Sequence, residues 1–240
     1  MIIENLGSRI VNTYIIALSN GYMLIDTGYE HSFSRFKQKL KKAHIALHEI
    51  SYIFLTHAHD DHAGFLNALL ACTNAYVILH PKAVAGLRRG QNSFHGGCSG
   101  LSSYVFCKLM ACMGKGRHMF PPLEQIYESR LLPIDSNAYQ KLENQMPFSV
   151  IETPGHTECS ISLLFDDGLC FCGDAVMNNF PSYKHVTIWI ENLEDYTTSW
   201  RKLIQLHPKV LYPGHGKPFP VRDLEKNVTS LAHIKLYPLK

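Results

Sequence analysis

The sequence predicts an α/β fold, and three observations carry that prediction. Apolar, β-branched runs alternate with stretches of helical period along most of the chain. Metal-capable side chains recur where the apolar runs end. One long segment rich in glycine and proline interrupts the alternation. At 240 residues the chain is read as a single domain, 1–240, with residues 81–147 inserted within it.

Residues 10–18 and 22–25 read as two strands joined at Ser19-Asn20-Gly21, a hairpin ending in Asp26-Thr27-Gly28. Phe33, Phe36 and Leu40 then fall at helical spacing within 31–43. A buried strand follows over 50–55, a helix over 64–71 and a strand over 75–79. The 81–147 segment contains Gly90, Gly96, Gly97, Gly100, Gly114, Gly116, Pro121 and Pro122. Within it a helix is predicted over 101–113, with Leu101, Tyr104, Val105, Lys108, Leu109 and Cys112 on one side. An irregular insertion of this length predicts a functional lid, or else a mobile surface loop. Regular structure resumes with a strand over 148–152. A hairpin over 160–165 and 169–172 turns at Asp166-Asp167-Gly168. A helix over 194–206 is expected to bury Trp200, Leu203 and Ile204. The last strand, 210–212, runs into Pro213-Gly214-His215-Gly216.

The net charge of +3 and pI of about 8.4 are too mild to argue for nucleic acid or a membrane surface, so neither is expected as a partner. The seven cysteines show no disulfide framework and no CxxC pair, which predicts reduced thiols and a cytoplasmic protein. No basic region followed by a long apolar stretch opens the chain, so no signal peptide is expected. Cys159 and Cys172 lie near metal-capable residues in sequence but read as small core side chains.

The densest chemistry is Thr56-His57-Ala58-His59-Asp60-Asp61-His62, placed directly after the strand at 50–55. Imidazole nitrogens and carboxylate oxygens suit zinc and other first-row divalent ions. His57 and His59, two apart on an extended loop, can share an ion, whereas Asp61 and His62 can serve a second one. Asp26, His156, Asp174 and His215 each follow a strand as well. The inventory closes on two ions: His57, His59 and His156 for one, Asp61, His62 and His215 for the other, with Asp174 offering an oxygen to each. Both ions then keep a position for water, and a hydroxide between them is a strong nucleophile near neutral pH.

The cluster at 57–62, followed by His156, Asp174 and His215, resembles the full pattern of the metallo-β-lactamase superfamily, from the Asp26-Thr27-Gly28 turn to the turn around His215. The resemblance implies a four-layered αββα sandwich and the ligand set just given. It also implies that Asp26 orients a ligand histidine from behind, and that Asp61, besides holding metal, orients the nucleophile or moves its proton. Two divalent ions are implied as cofactors, zinc first, with iron or manganese as alternatives. Asp174 stands where the true β-lactamases carry cysteine, which points to the glyoxalase II-like members instead. Ala175-Val176-Met177 lacks the tyrosine that quorum-signal lactonases place after the bridging aspartate. His59 departs from the glutamate of flavodiiron proteins.

The expectation for function is a dinuclear hydrolase acting on a small-molecule ester, thioester, lactone or phosphodiester. An iron-dependent oxidoreductase on the same scaffold and a metal-binding regulatory protein are the alternatives. His118, Tyr183 and His185 are the candidate substrate contacts.

Overall fold

The computed structural model describes residues 3–239. In chain order its elements are β1 (Ile3–Asn5), β2 (Tyr14–Leu18), β3 (Gly21–Ile25), α1 (Phe33–Lys42), β4 (Ile50–Phe54), α2 (Asp60–Ala63), α3 (Leu66–Leu70), β5 (Tyr76–Leu79), α4 (Ala83–Arg89), β6 (Gly97–Cys98), α5 (Leu101–Cys112), β7 (Leu131–Pro133), α6 (Asn137–Glu143), β8 (Phe148–Glu152), β9 (Ile161–Phe165), β10 (Leu169–Gly173), β11 (Trp189–Ile190), α7 (Leu193–Gln205), β12 (Val210–Pro213), β13 (Phe219–Pro220) and α8 (Arg222–Asn227). They fall into two compact units, and the segment 81–147 is divided between them.

The first unit comprises 3–92 and 119–145. Its six-stranded sheet runs β1-β2-β3-β4-β5-β7. The three N-terminal strands are antiparallel and the rest parallel. Helices make those parallel crossovers, as the connection requires. Strands β3, β4 and β5 bury Met23, Leu24, Ile53, Phe54, Val77 and Ile78. On α1, Phe36 and Leu40 are buried one turn apart. The Phe36 ring packs against Phe65 at 5.1 Å.

Two expectations change here. The first long strand begins at Tyr14 rather than at residue 10, because the Ser8 hydroxyl accepts the Ile10 and Val11 N–H groups at 3.0 Å and holds that stretch in a turn. The helix expected over 64–71 is confined to α3, Leu66–Leu70, and a separate short helix, α2, precedes it. The chain breaks between them because Phe65 donates its N–H to the Gly28 carbonyl, 3.2 Å away. Gly64 permits that approach: a Cβ there would sit 2.6 Å from the same Gly28 oxygen.

The second unit comprises 93–118 and 146–239. Its sheet runs β13-β12-β10-β9-β8, with β10 and β12 parallel and every other pair antiparallel. Strands β6 and β11 form a separate antiparallel pair. The β9–β10 hairpin turns at Gly168, whose φ of 88° suits glycine.

Helix α7 begins where the Asn192 side chain accepts the Glu194 and Asp195 N–H groups at 3.0 and 3.2 Å. It buries Tyr196, Ser199, Trp200 and Leu203, with Ile204 at the margin. Trp200 donates its indole N–H to the Ala175 carbonyl at 2.8 Å, so the largest core side chain is also polar-satisfied. Helix α5 forms where expected, but Ser103 is its one buried residue; Leu101, Val105 and Leu109 face outward.

Candidate metal centre

In the first unit the parallel register pairs Ile25 of β3 with Phe54 of β4, so Asp26 and the 55–62 loop leave the sheet at the same edge. Asp26 adopts a left-handed φ of 57°, uncommon for a residue with a side chain. Its N–H donates to the Phe54 carbonyl at 2.9 Å. Thr27 donates to the His62 carbonyl through both its N–H and its hydroxyl, at 2.7 and 2.8 Å, which fixes this turn against α2.

The Asp26 carboxylate is 2 % exposed and fully engaged. One oxygen accepts the Thr56 N–H at 2.8 Å. The other accepts the Thr56 hydroxyl and the His62 Nδ1–H, each at 2.8 Å. The Thr56 hydroxyl, having donated to Asp26, receives the His57 Nδ1–H at 3.0 Å. One carboxylate therefore sets the ring of His62 directly and that of His57 through Thr56. Both histidines are left with Nε2 as the lone-pair nitrogen.

His57 and His62 are wholly buried and His59 nearly so. The ring of His57 lies 4.6 Å from that of His59 and 4.2 Å from that of His62. Asp61 brings its carboxylate to 3.7 Å from His62 Nε2. Asp60 turns the other way, into a reciprocal pair of 2.7 Å hydrogen bonds with Asn92 that anchors the start of α2.

The second unit repeats the logic. Gly173 of β10 pairs with Pro213 of β12, so Asp174 and His215 emerge side by side. Asp174 Oδ2 stands 3.3 Å from His215 Nε2 and 3.7 Å from His156 Nε2, and all three residues are buried. His156 Nδ1 is hydrogen-bonded to the Trp189 carbonyl at 2.8 Å, which again leaves Nε2 to face the carboxylate. Gly155 makes this loop possible. Its φ is 130°, a Cβ would lie 2.3 Å from the Tyr196 backbone, and its carbonyl accepts the Glu191 and Asn192 N–H groups.

This donor chemistry fits divalent metal. His62 and His156 each have one nitrogen anchored by oxygen and the other turned toward a carboxylate. The first unit thus offers His57, His59, Asp61 and His62 as candidate donors, and the second offers His156, Asp174 and His215.

The sequence model of the metallo-beta-lactamase superfamily matches residues 6–215. The chain belongs to that superfamily. Among its metallo-beta-lactamase relatives, a probable metallo-hydrolase, YflN, of Bacillus subtilis is 27% identical, over 96% of this chain and 90% of its own length. The atrochrysone carboxyl ACP thioesterase of Aspergillus fumigatus is also 27% identical, over 85% of this chain; the match spans half of the thioesterase. A solved metallo-beta-lactamase family protein from Thermus thermophilus superposes with a TM-score of 0.64 at 23% identity, covering 96% of this chain and 78% of that one. That likeness shows the mixed α/β metallo-beta-lactamase fold.

The expected substrate contacts are His118, Tyr183 and His185, all in the second unit. Tyr183 is 72% exposed. His185 is half-buried and stacks on Phe219 at 3.9 Å, and burial lowers its pKa below the ordinary histidine value. His118 meets the Phe94 ring edge-on at 6.1 Å. Cys159 and Cys172 are buried, and burial pushes the Cys172 thiol far above its ordinary range, which suits core packing rather than reactivity. Sequence reasoning gave no role to Thr56, Asn92 or the Trp189 carbonyl. A backbone acceptor has no residue signature, and Thr56 is recognisable only once the Asp26 carboxylate is seen to reach it.

Proposed function

We propose that this chain is a dinuclear metal-dependent hydrolase of a small ester, thioester, lactone or phosphodiester. The observation that carries the reading is the paired anchoring of the histidines: His62 and His57 by Asp26, and His156 by the Trp189 carbonyl. A metal-ligating histidine characteristically donates its other ring N–H to a carboxylate or a backbone carbonyl, which fixes the tautomer and the ring orientation. The relatives' metallo-hydrolase and thioesterase names support hydrolysis as the reaction class.

On this reading His57, His59 and His156 hold one ion, Asp61, His62 and His215 the other, and Asp174 contributes to both. Bound divalent ions would supply a hydroxide at neutral pH and polarise the carbonyl or phosphoryl oxygen under attack. The chain's own residues do the rest. Asp26 and Thr56 keep Nε2 of His62 and His57 turned inward. Asp61, whose side chain is 14% exposed, has an oxygen beside His62 Nε2 and can take a proton from the attacking water. Burial of His57 and His62 keeps bulk water from competing for their nitrogens.

Elemental analysis of protein purified without added metal tests the reading. About two zinc ions per chain, with metal-dependent turnover in a panel of esters, thioesters and phosphodiesters, is the expected result. Two irons with redox activity would move the chain to an oxidoreductase. Metal without turnover on any of these substrates would make it a binding protein. His57→Ala and Asp174→Ala are each expected to reduce metal content and turnover together; full retention of both would overturn the ligand assignment.

A further inference from the structure

Helix α5, in the second unit, is apolar nearly all round, with Lys108 its single charge. Such a helix is ordinarily buried on most sides. Here Leu101, Val105 and Leu109 are 62, 58 and 57% exposed, and Met113, just beyond the helix, is 54% exposed. Four apart from one another, they form one stripe.

The stripe has company in the same unit. The Phe106 ring meets Phe180 edge-on at 6.0 Å, so the loop after Asp174 is attached to the helix by its aromatics. On that loop Phe180 is 81% and Tyr183 72% exposed. An outward apolar surface of this kind marks an interaction site.

Its charge indicates the partner. Lys108, Lys115, Arg117 and Lys184 lie within 93–118 and 175–190, and neither stretch contains an aspartate or glutamate. The acid-free run extends along the sequence from 62 to 123. The mild net charge of the whole chain conceals this local bias. Lys184 and Lys108 sit over the Tyr183 and Tyr104 rings at 5.2 and 5.6 Å, a pairing of cation and amphipathic ring suited to a headgroup layer.

We propose that the α5 face and the 180–184 loop dock onto an anionic lipid surface. Acyl chains match Leu101, Val105, Leu109 and Phe180, and lipid phosphates match the cations around them. A second copy of the same face would oppose these cations to one another, and the two stretches that carry them hold no acid of their own. This inference is independent of the hydrolase reading.

Co-sedimentation of the full chain with vesicles decides it. Phosphatidylcholine vesicles with about one third phosphatidylglycerol should bind at least about tenfold more tightly than pure phosphatidylcholine, and salt at roughly 0.5 M should erase most of the difference. Val105→Glu with Leu109→Glu, both at exposed positions, should lower binding by about tenfold or more with the circular dichroism spectrum unchanged. Lys115→Glu with Arg117→Glu should remove the lipid selectivity. Equal binding to both vesicles, or none, overturns the proposal even if a variant fails to fold. Concentration-dependent dimers without vesicle binding would assign the face to a second copy instead.

Discussion

Asp26 is the residue on which the candidate centre turns, and its substitution has a defined expected cost. Asp26→Ala should weaken zinc binding by about 10–100-fold, read by competition with a chromogenic chelator, because the rings of His62 and His57 lose their anchor. Asp60→Ala, at the neighbouring carboxylate tied to Asn92, should change zinc affinity far less. His185 gives a second residue-scale expectation. Burial, the largest cause, sets its folded pKa below the ordinary value of 6.5, so the unfolded chain takes up the proton first. The stability contributed by the neutral ring is complete above that value and is lost as pH falls through it toward the lowered folded pKa. Urea midpoints should therefore drop below about pH 6.5. His185→Phe, which keeps the stack on Phe219, should flatten that part of the profile. The residue types of the centre were legible because imidazole and carboxylate announce themselves in sequence. What anchors them was not, since it depends on a left-handed turn at Asp26 and a main-chain oxygen at Trp189.

At the scale of elements, periodicity located β4, β8, β10 and α7 to within a residue or two, because each pairs a regular apolar pattern with a sharp local stop. It could not foresee the break at Gly64, which a hydrogen bond to Gly28 from elsewhere in the chain imposes. Nor could it say what α5 buries: spacing shows which residues share a face, not whether anything covers it. Two substitutions test how elements hold the loops. Gly155→Ala forces a Cβ against the backbone of Tyr196 at an unfavourable φ, and should cost on the order of 2–4 kcal/mol in chemical denaturation while loosening His156. Trp200→Ala removes the central side chain of α7 and should cost about 3–5 kcal/mol.

For the whole molecule, superfamily membership over 6–215 agrees with what the ordered motifs implied. Among the described residues, no helix is long and apolar enough to cross a membrane. The thiols report on packing across the chain. Cys72 and Cys112 are exposed, whereas Cys98, Cys159, Cys170 and Cys172 are buried, and burial pushes Cys170 up to about 12. Mass spectrometry after a brief maleimide pulse should find label first at Cys72 and Cys112, and at the four buried thiols only after unfolding. The shared Asp26 carboxylate also constrains how the centre can be altered by selection. Because a single side chain sets two imidazoles, no change at position 26 can retune one of them alone. A laboratory screen for altered metal preference should therefore find its gradual improvements at Thr56, whose hydroxyl reaches His57 and not His62, while position 26 stays fixed.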